Sequence, residues 1–127
     1  MADVVLDSSA VLAMLRGERG GERVVQTLGD AIISAVNYAE VISKLIDFGN
    51  SASVALASAR QLNLTVAPLD HAIAMRAGAL HEHTQKRGIS LGDRACLALA
   101  QALDLPVLTA DRAWASLDLG VEVVLIR

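Results

Sequence analysis

Residues 91–117 read LGDRACLALAQALDLPVLTADRAWASL, and the pattern within them is helix, strand, helix. Leu91 to Leu103 is apolar almost all round, as a helix is when it lies deep in a protein rather than on its surface. Pro106-Val107-Leu108-Thr109 is a short strand, and it feeds Asp111 and a short helix through Leu117. The same alternation extends toward the N-terminus. Asp70 to His83 reads as a helix, Leu64 to Ala67 ahead of Pro68 as a strand, and Ser53 to Leu62 as a helix. Asn37 opens a further helix in which Val41, Ile42, Leu45 and Ile46 recur at the spacing of an amphipathic face, and Gly49 and Asn50 end it. Ala31 to Val36 is a strand, Glu22 to Leu28 is helical, Ser8 to Leu15 is a helix halted by the Gly17 to Gly21 region, and Val4-Val5-Leu6 is a strand ending at Asp7. Val121 to Ile126 closes the chain as a strand. Strands separated by helices need crossover connections, and these give an α/β fold with a mostly parallel sheet covered on both faces. Residues 1–127 contain no linker, low-complexity segment or internal repeat, so one domain is expected.

Composition narrows the class. The chain is 54% hydrophobic but only 2% aromatic, so its core must be built from Ala, Val, Leu and Ile. Cys96 is the only cysteine, which excludes an internal disulfide and fits a small core residue in a reducing compartment. Met1-Ala2-Asp3 carries an acid where a secretory signal needs a basic region. No stretch reaches the roughly eighteen uncharged apolar residues of a membrane span, so a cytoplasmic protein with no membrane partner is expected. A net charge of −3 argues against a broad electrostatic grip on nucleic acid, so any RNA contact must be local. The mean hydropathy of +0.46 is high for a small soluble monomer and points to apolar surface covered by another chain.

Asp7, Glu40, Asp93 and Asp111 stand at equivalent places, each following a strand or opening the helix after one. In an α/β sheet, strand C-termini and helix N-termini share one edge, and ligands bind in the crevice there, so these acids should converge. Carboxylates brought together repel, which raises their pKa values unless a cation neutralises them, and an all-oxygen set suits Mg²⁺ or Mn²⁺. Helix capping competes with this reading. Asn37-x-x-Glu40 and Ser90-x-x-Asp93 match the capping-box pattern, and Asp7 and Asp111 could each cap the helix that follows. Capping does not account for convergence, nor for Asp93 entering the desolvated surroundings of an apolar helix.

Asp7-Ser8-Ser9, Glu40, the run Gly92-Asp93-Arg94-Ala95-Cys96-Leu97-Ala98-Leu99-Ala100 and Leu108-Thr109-Ala110-Asp111 form an ordered set that resembles the PIN domain. VapC-type toxins of toxin–antitoxin pairs are the members it resembles most. The likeness runs from Val5 to about Leu119 and includes Asp111-x-x-Trp114-x-x-Leu117, where the family carries an aromatic residue and then Leu. The resemblance implies a PIN-like (Rossmann-like) sheet flanked by helices. It implies Asp7, Glu40, Asp93 and Asp111 as an acidic quartet that holds Mg²⁺ or Mn²⁺, with Ser9 and Thr109 as supporting polar residues. Ala113 is a departure, since some relatives carry a further acid close to the fourth one. The implied activity is metal-dependent endoribonuclease: the cation lowers the pKa of its water, in-line attack at phosphorus follows, and 5′-phosphate and 3′-hydroxyl ends result. The implied partners are an RNA substrate, a second copy of the chain, and an antitoxin lying between the helices that begin beside Asp7 and Glu40, with an arginine among the carboxylates.

Other features carry less. His81 and His83 are two apart, which on a helix separates them by about 200°, so they read as a solvated helix end rather than a zinc pair. Lys44 is spaced to pair with Glu40 and would touch phosphate only if it lined the cleft; Arg94 and Arg112 read as solvated or ion-paired. Pro106 to Ala110 looks like the strand and switch threonine of a phosphoacceptor receiver, yet no lysine follows Thr109 and the third strand ends in Ala67-Pro68 rather than in an acceptor aspartate. Asp7-Ser8-Ser9 lacks the second aspartate that opens a haloacid-dehalogenase-like phosphatase. A PIN-like domain that binds RNA without cutting it is the remaining alternative, and the intact quartet argues against it.

Overall fold

A computed structural model describes residues 2–127. Five short strands, β1 (Val4–Leu6), β2 (Ala31–Ser34), β3 (Thr65–Ala67), β4 (Val107–Thr109) and β5 (Val123–Leu125), form one sheet in the order β3-β2-β1-β4-β5. Every neighbouring pair is parallel, which the helical crossovers require. The helices are α1 (Ser8–Leu15), α2 (Gly21–Val25), α3 (Ala35–Asp47), α4 (Ala52–Gln61), α5 (His71–Ala79), α6 (His81–Thr84) and α7 (Leu91–Leu103), with 3-10 turns at Leu28–Asp30 and Arg112–Ser116. The strand order differs from the 2-1-3-4-5 order of receiver domains, so the fold disposes of the receiver alternative.

Alternation along the strands divides the core in two. Val4, Leu6, Ala31, Ile33 and Leu108 point to one face and pack against α1, α2, α3 and α4. Val5, Val107, Ile32 and Val123 point to the other and meet α5, α7 and Trp114. Helix α7 is as deep as its composition requires: Ala95 through Ala100 are all buried, and only Leu91 at its start and Ala102 and Leu103 at its end are exposed. Trp114, the single tryptophan, is wholly buried beneath the turn that follows β4.

Beyond shifts of one or two residues at the ends of α4, β3, β4 and β5, three differences from the sequence reading stand out. Strand β2 stops at Ser34 and α3 starts at Ala35, because the Ser34 hydroxyl accepts a hydrogen bond from the Asn37 amide at 3.1 Å and thereby caps the helix. Asn37 therefore lies inside the first turn instead of opening it. The helix expected over Asp70 to His83 is two helices that break at Leu80, with Asp70 capping α5 through a 2.9 Å bond from the Ile73 amide. The stretch from Glu22 to Leu28 is the short α2 followed by a 3-10 turn. Among the described residues no helix is long and apolar enough to cross a membrane.

Candidate metal centre

The chain runs from β1 outward to β2 and β3, then returns to place β4 on the other side of β1. In an open α/β sheet such a reversal is where a ligand crevice forms, here at the C-terminal ends of β1 and β4. Asp7 ends β1 inside it and is only 2% exposed. Its Oδ2 accepts hydrogen bonds from the Ser9 hydroxyl at 2.6 Å and the Thr109 hydroxyl at 2.8 Å. Those hydroxyls are themselves fixed, since Ser9 Oγ accepts from the Ala110 amide and Thr109 Oγ1 from the Asp111 amide. Asp7 Oδ1, in contrast, is buried and has no partner. Burial is the main reason that the Asp7 carboxyl is pushed up to about 6; the two hydroxyls oppose the shift and the charge of Asp93 adds to it.

Asp93 enters from α7. The capping box expected around it is formed: Asp93 N donates to Ser90 Oγ at 3.1 Å, and Ser90 N donates to Asp93 Oδ2 at 2.9 Å. Its pKa is raised, first by burial and then by the charges of Asp111 and Glu40. Asp111 caps the turn after β4, with Oδ1 accepting from the Ala113 amide at 3.0 Å. Glu40 is half-buried on α3, and its Oε1 accepts from Asn37 Nδ2 at 2.9 Å. Its carboxylate lies against Gly92, where a Cβ would stand 2.7 Å from Glu40 Cδ. The capping explanation thus holds for one oxygen each of Asp93 and Asp111. It fails for Glu40, whose helix is capped by Ser34, and for Asp7, which makes no side-chain cap.

The acids are within one another's electrostatic reach, Asp93 acting on Asp7 and being acted on by Asp111 and Glu40. Among the described residues no three carboxylates are already drawn into a ready ligand cluster. Like charge drives them apart, and hydroxyl, amide and cap donors hold each where it stands. The donor set nevertheless fits a hard divalent cation. All its atoms are oxygens, the charge is high, and Asp7 Oδ1 is a buried anionic oxygen that nothing in the protein satisfies. Cys96 sits close enough to feel Asp7, Asp93 and Glu40, but burial pushes its thiol well up and leaves it inert.

The neighbouring cations stand elsewhere. Arg94 turns away and donates from Nη1 to the Ala77 carbonyl at 3.0 Å. Among the described residues the ion pairs are those of Glu18 with Arg16 and Arg127, so Lys44 is exposed on α3 without engaging Glu40. Exposed His81 and His83 lie on α6. Asn37 and Gly92 are the residues that the sequence did not single out for the site. The signals available were an asparagine one helical turn before Glu40 and a glycine directly before Asp93.

An all-parallel α/β sheet with an acidic crevice at its switch point defines a class of small folds. The profile of the PIN domain matches residues 4–119, and the chain belongs to that family. No curated protein matches it in sequence. Among solved structures it is similar to a chain of DNA-bound VapBC from Salmonella typhimurium, at 18% identity, TM-score 0.78 and 100% coverage of both chains. A toxin–antitoxin complex from Klebsiella pneumoniae matches at 20% identity and TM-score 0.73, covering 98% of each chain. FitAcB from Neisseria gonorrhoeae matches at 22% identity and TM-score 0.73, covering 94% of this chain and 95% of the other. These are likenesses of fold.

Proposed function

We propose that residues 1–127 act as a single PIN unit and that this unit is a VapC-type toxin, a divalent-cation-dependent endoribonuclease of the cytoplasm. The observation that carries the reading is the buried, unpartnered Oδ1 of Asp7 in a crevice shared with Glu40, Asp93 and Asp111. Asp7, Asp93, Asp111 and Glu40 would hold Mg²⁺ or Mn²⁺. When bound, such a cation supplies Lewis acidity, lowering the pKa of a water and drawing charge from a phosphate oxygen. Ser9 and Thr109 orient Asp7 by fixing Oδ2, which leaves Oδ1 without a partner. The capping bonds of Asp93 and Asp111 leave one oxygen of each free for the same space.

The partner reading rests on a different surface. Ile46 and Phe48 at the end of α3 and Val54 and Leu56 on α4 are large apolar side chains left exposed. The similar folds come from VapBC of Salmonella typhimurium, FitAcB of Neisseria gonorrhoeae and a toxin–antitoxin complex of Klebsiella pneumoniae. An antitoxin segment lying along α1 and α3 would reach the acids where both helices begin, and an arginine there would compete with cation and substrate. The α3–α4 surface is also a candidate for contact with a second copy.

Incubating the purified protein with total RNA and Mg²⁺ or Mn²⁺, against EDTA, tests the reaction. Cleavage leaving 5′-phosphate ends, lost in EDTA and in Asp93→Asn, is the expected result. Full activity in EDTA would overturn the mechanism, and RNA binding without any cleavage would favour the non-catalytic PIN-like reading.

A further inference from the structure

We infer that Asn37 and Gly92 form a seat that holds the Glu40 carboxylate beside Asp93, and that this seat sets how tightly the crevice takes a divalent cation. The inference rests on the cation reading above and adds two positioning residues to it.

Asn37 is completely buried, and its amide is used on both sides. Oδ1 accepts from the Ser34 hydroxyl at 2.6 Å. The two hydrogens of Nδ2 go to Glu40 Oε1 at 2.9 Å and to the Gly92 carbonyl at 3.0 Å. Chemistry fixes this orientation, because a flipped amide would set its oxygen against a carboxylate and a carbonyl, neither of which can donate. Glu40 has three side-chain torsions and faces the like charge of Asp93. Left free, it would turn toward solvent, and gathering it back would cost binding free energy.

Gly92 supplies the space. A Cβ there would lie 2.7 Å from Glu40 Cδ and 2.8 Å from Oε1, so any other residue would expel the carboxylate. Gly92 also directly precedes Asp93, which means that the Asn37 bond to its carbonyl ties α3 to the turn of α7 that carries Asp93. The seat therefore fixes Glu40 and its distance from Asp93 together. It concentrates negative charge, which the protein alone does not need and a cation does.

The test is a Mn²⁺ titration followed by the electron paramagnetic resonance signal of free Mn²⁺. It uses the wild-type protein, Asn37→Ala, Gly92→Ala, and the same two changes in a Glu40→Gln background, with a thermal midpoint for each. Gly92→Ala should keep a near-wild-type midpoint, because its methyl displaces only the end of a flexible side chain. Both single variants should bind Mn²⁺ about tenfold more weakly, and neither should weaken it further once Glu40 is Gln. Wild-type affinity in the folded variants, or a loss that persists in full with Glu40→Gln, would overturn the inference. If Asn37→Ala fails to fold, Gly92→Ala decides alone. A wild-type protein that binds no Mn²⁺ overturns the cation reading itself, an outcome distinct from tight binding that ignores the seat.

Discussion

Asp7 shows what the crevice costs the protein. Folding raises its pKa from 3.8 to about 6, chiefly by burial, so the folded state holds a proton over a pH range in which the unfolded state has released it. Below about pH 4 both states are protonated and the difference vanishes. As pH rises through about 6, the metal-free protein loses stability, by about 3 kcal/mol at the plateau. Denaturation in EDTA from pH 4 to pH 7 should show that decline, Asp7→Asn should flatten it, and the variant should be the more stable of the two at pH 7. An unchanged slope would contradict the assignment. Asp93 is expected to behave differently on substitution. Asn at that position still offers an oxygen to the Ser90 amide, so Asp93→Asn should fold with its cap intact while losing cleavage.

At the scale of elements, α7 links core and site. Its N-terminal turn carries Asp93 and its middle fills the core beneath the sheet. Ser90→Ala should lower stability by about 1 kcal/mol through loss of the cap. Leu97→Ala should cost about 3 kcal/mol through the cavity it leaves, and chemical denaturation separates the two. Helices α1 and α7 were legible in the sequence to the residue, because a polar residue of the type favoured at helix starts precedes each and an apolar pattern fills it. The start of α3 was not. Val36 is β-branched and Asn37 is a favoured cap residue, so the pattern extended the strand by two residues and hid the buried Ser34 that caps the helix. Nothing in the sequence marks the break between α5 and α6. The acids were legible because each follows a strand or opens a helix, a property of local order. The seat of Glu40 was not, since Asn37 and Gly92 are 55 positions apart and meet only when α3 packs on α7.

At the scale of the molecule, the order β3-β2-β1-β4-β5 brings Asp7 and Asp111 to either side of one crevice, and local pattern does not determine that order. It also leaves Ile46, Phe48, Val54 and Leu56 exposed on α3 and α4. Phe48 is held by Arg16, whose guanidinium lies 3.8 Å from the ring centroid and ties the far ends of α1 and α3 together. Sedimentation at micromolar concentration should therefore report a dimer, and a strictly monomeric protein would contradict this use of the apolar surface. On this reading, four acids at the switch point make a cation site. Anomalous diffraction from crystals soaked in Mn²⁺ tests it most directly. A peak is expected within coordination distance of Asp7 Oδ1 and Asp93, with Glu40 and Asp111 reaching it directly or through water. At saturating Mn²⁺, an empty crevice, or a peak only outside it, would rule out the cation site.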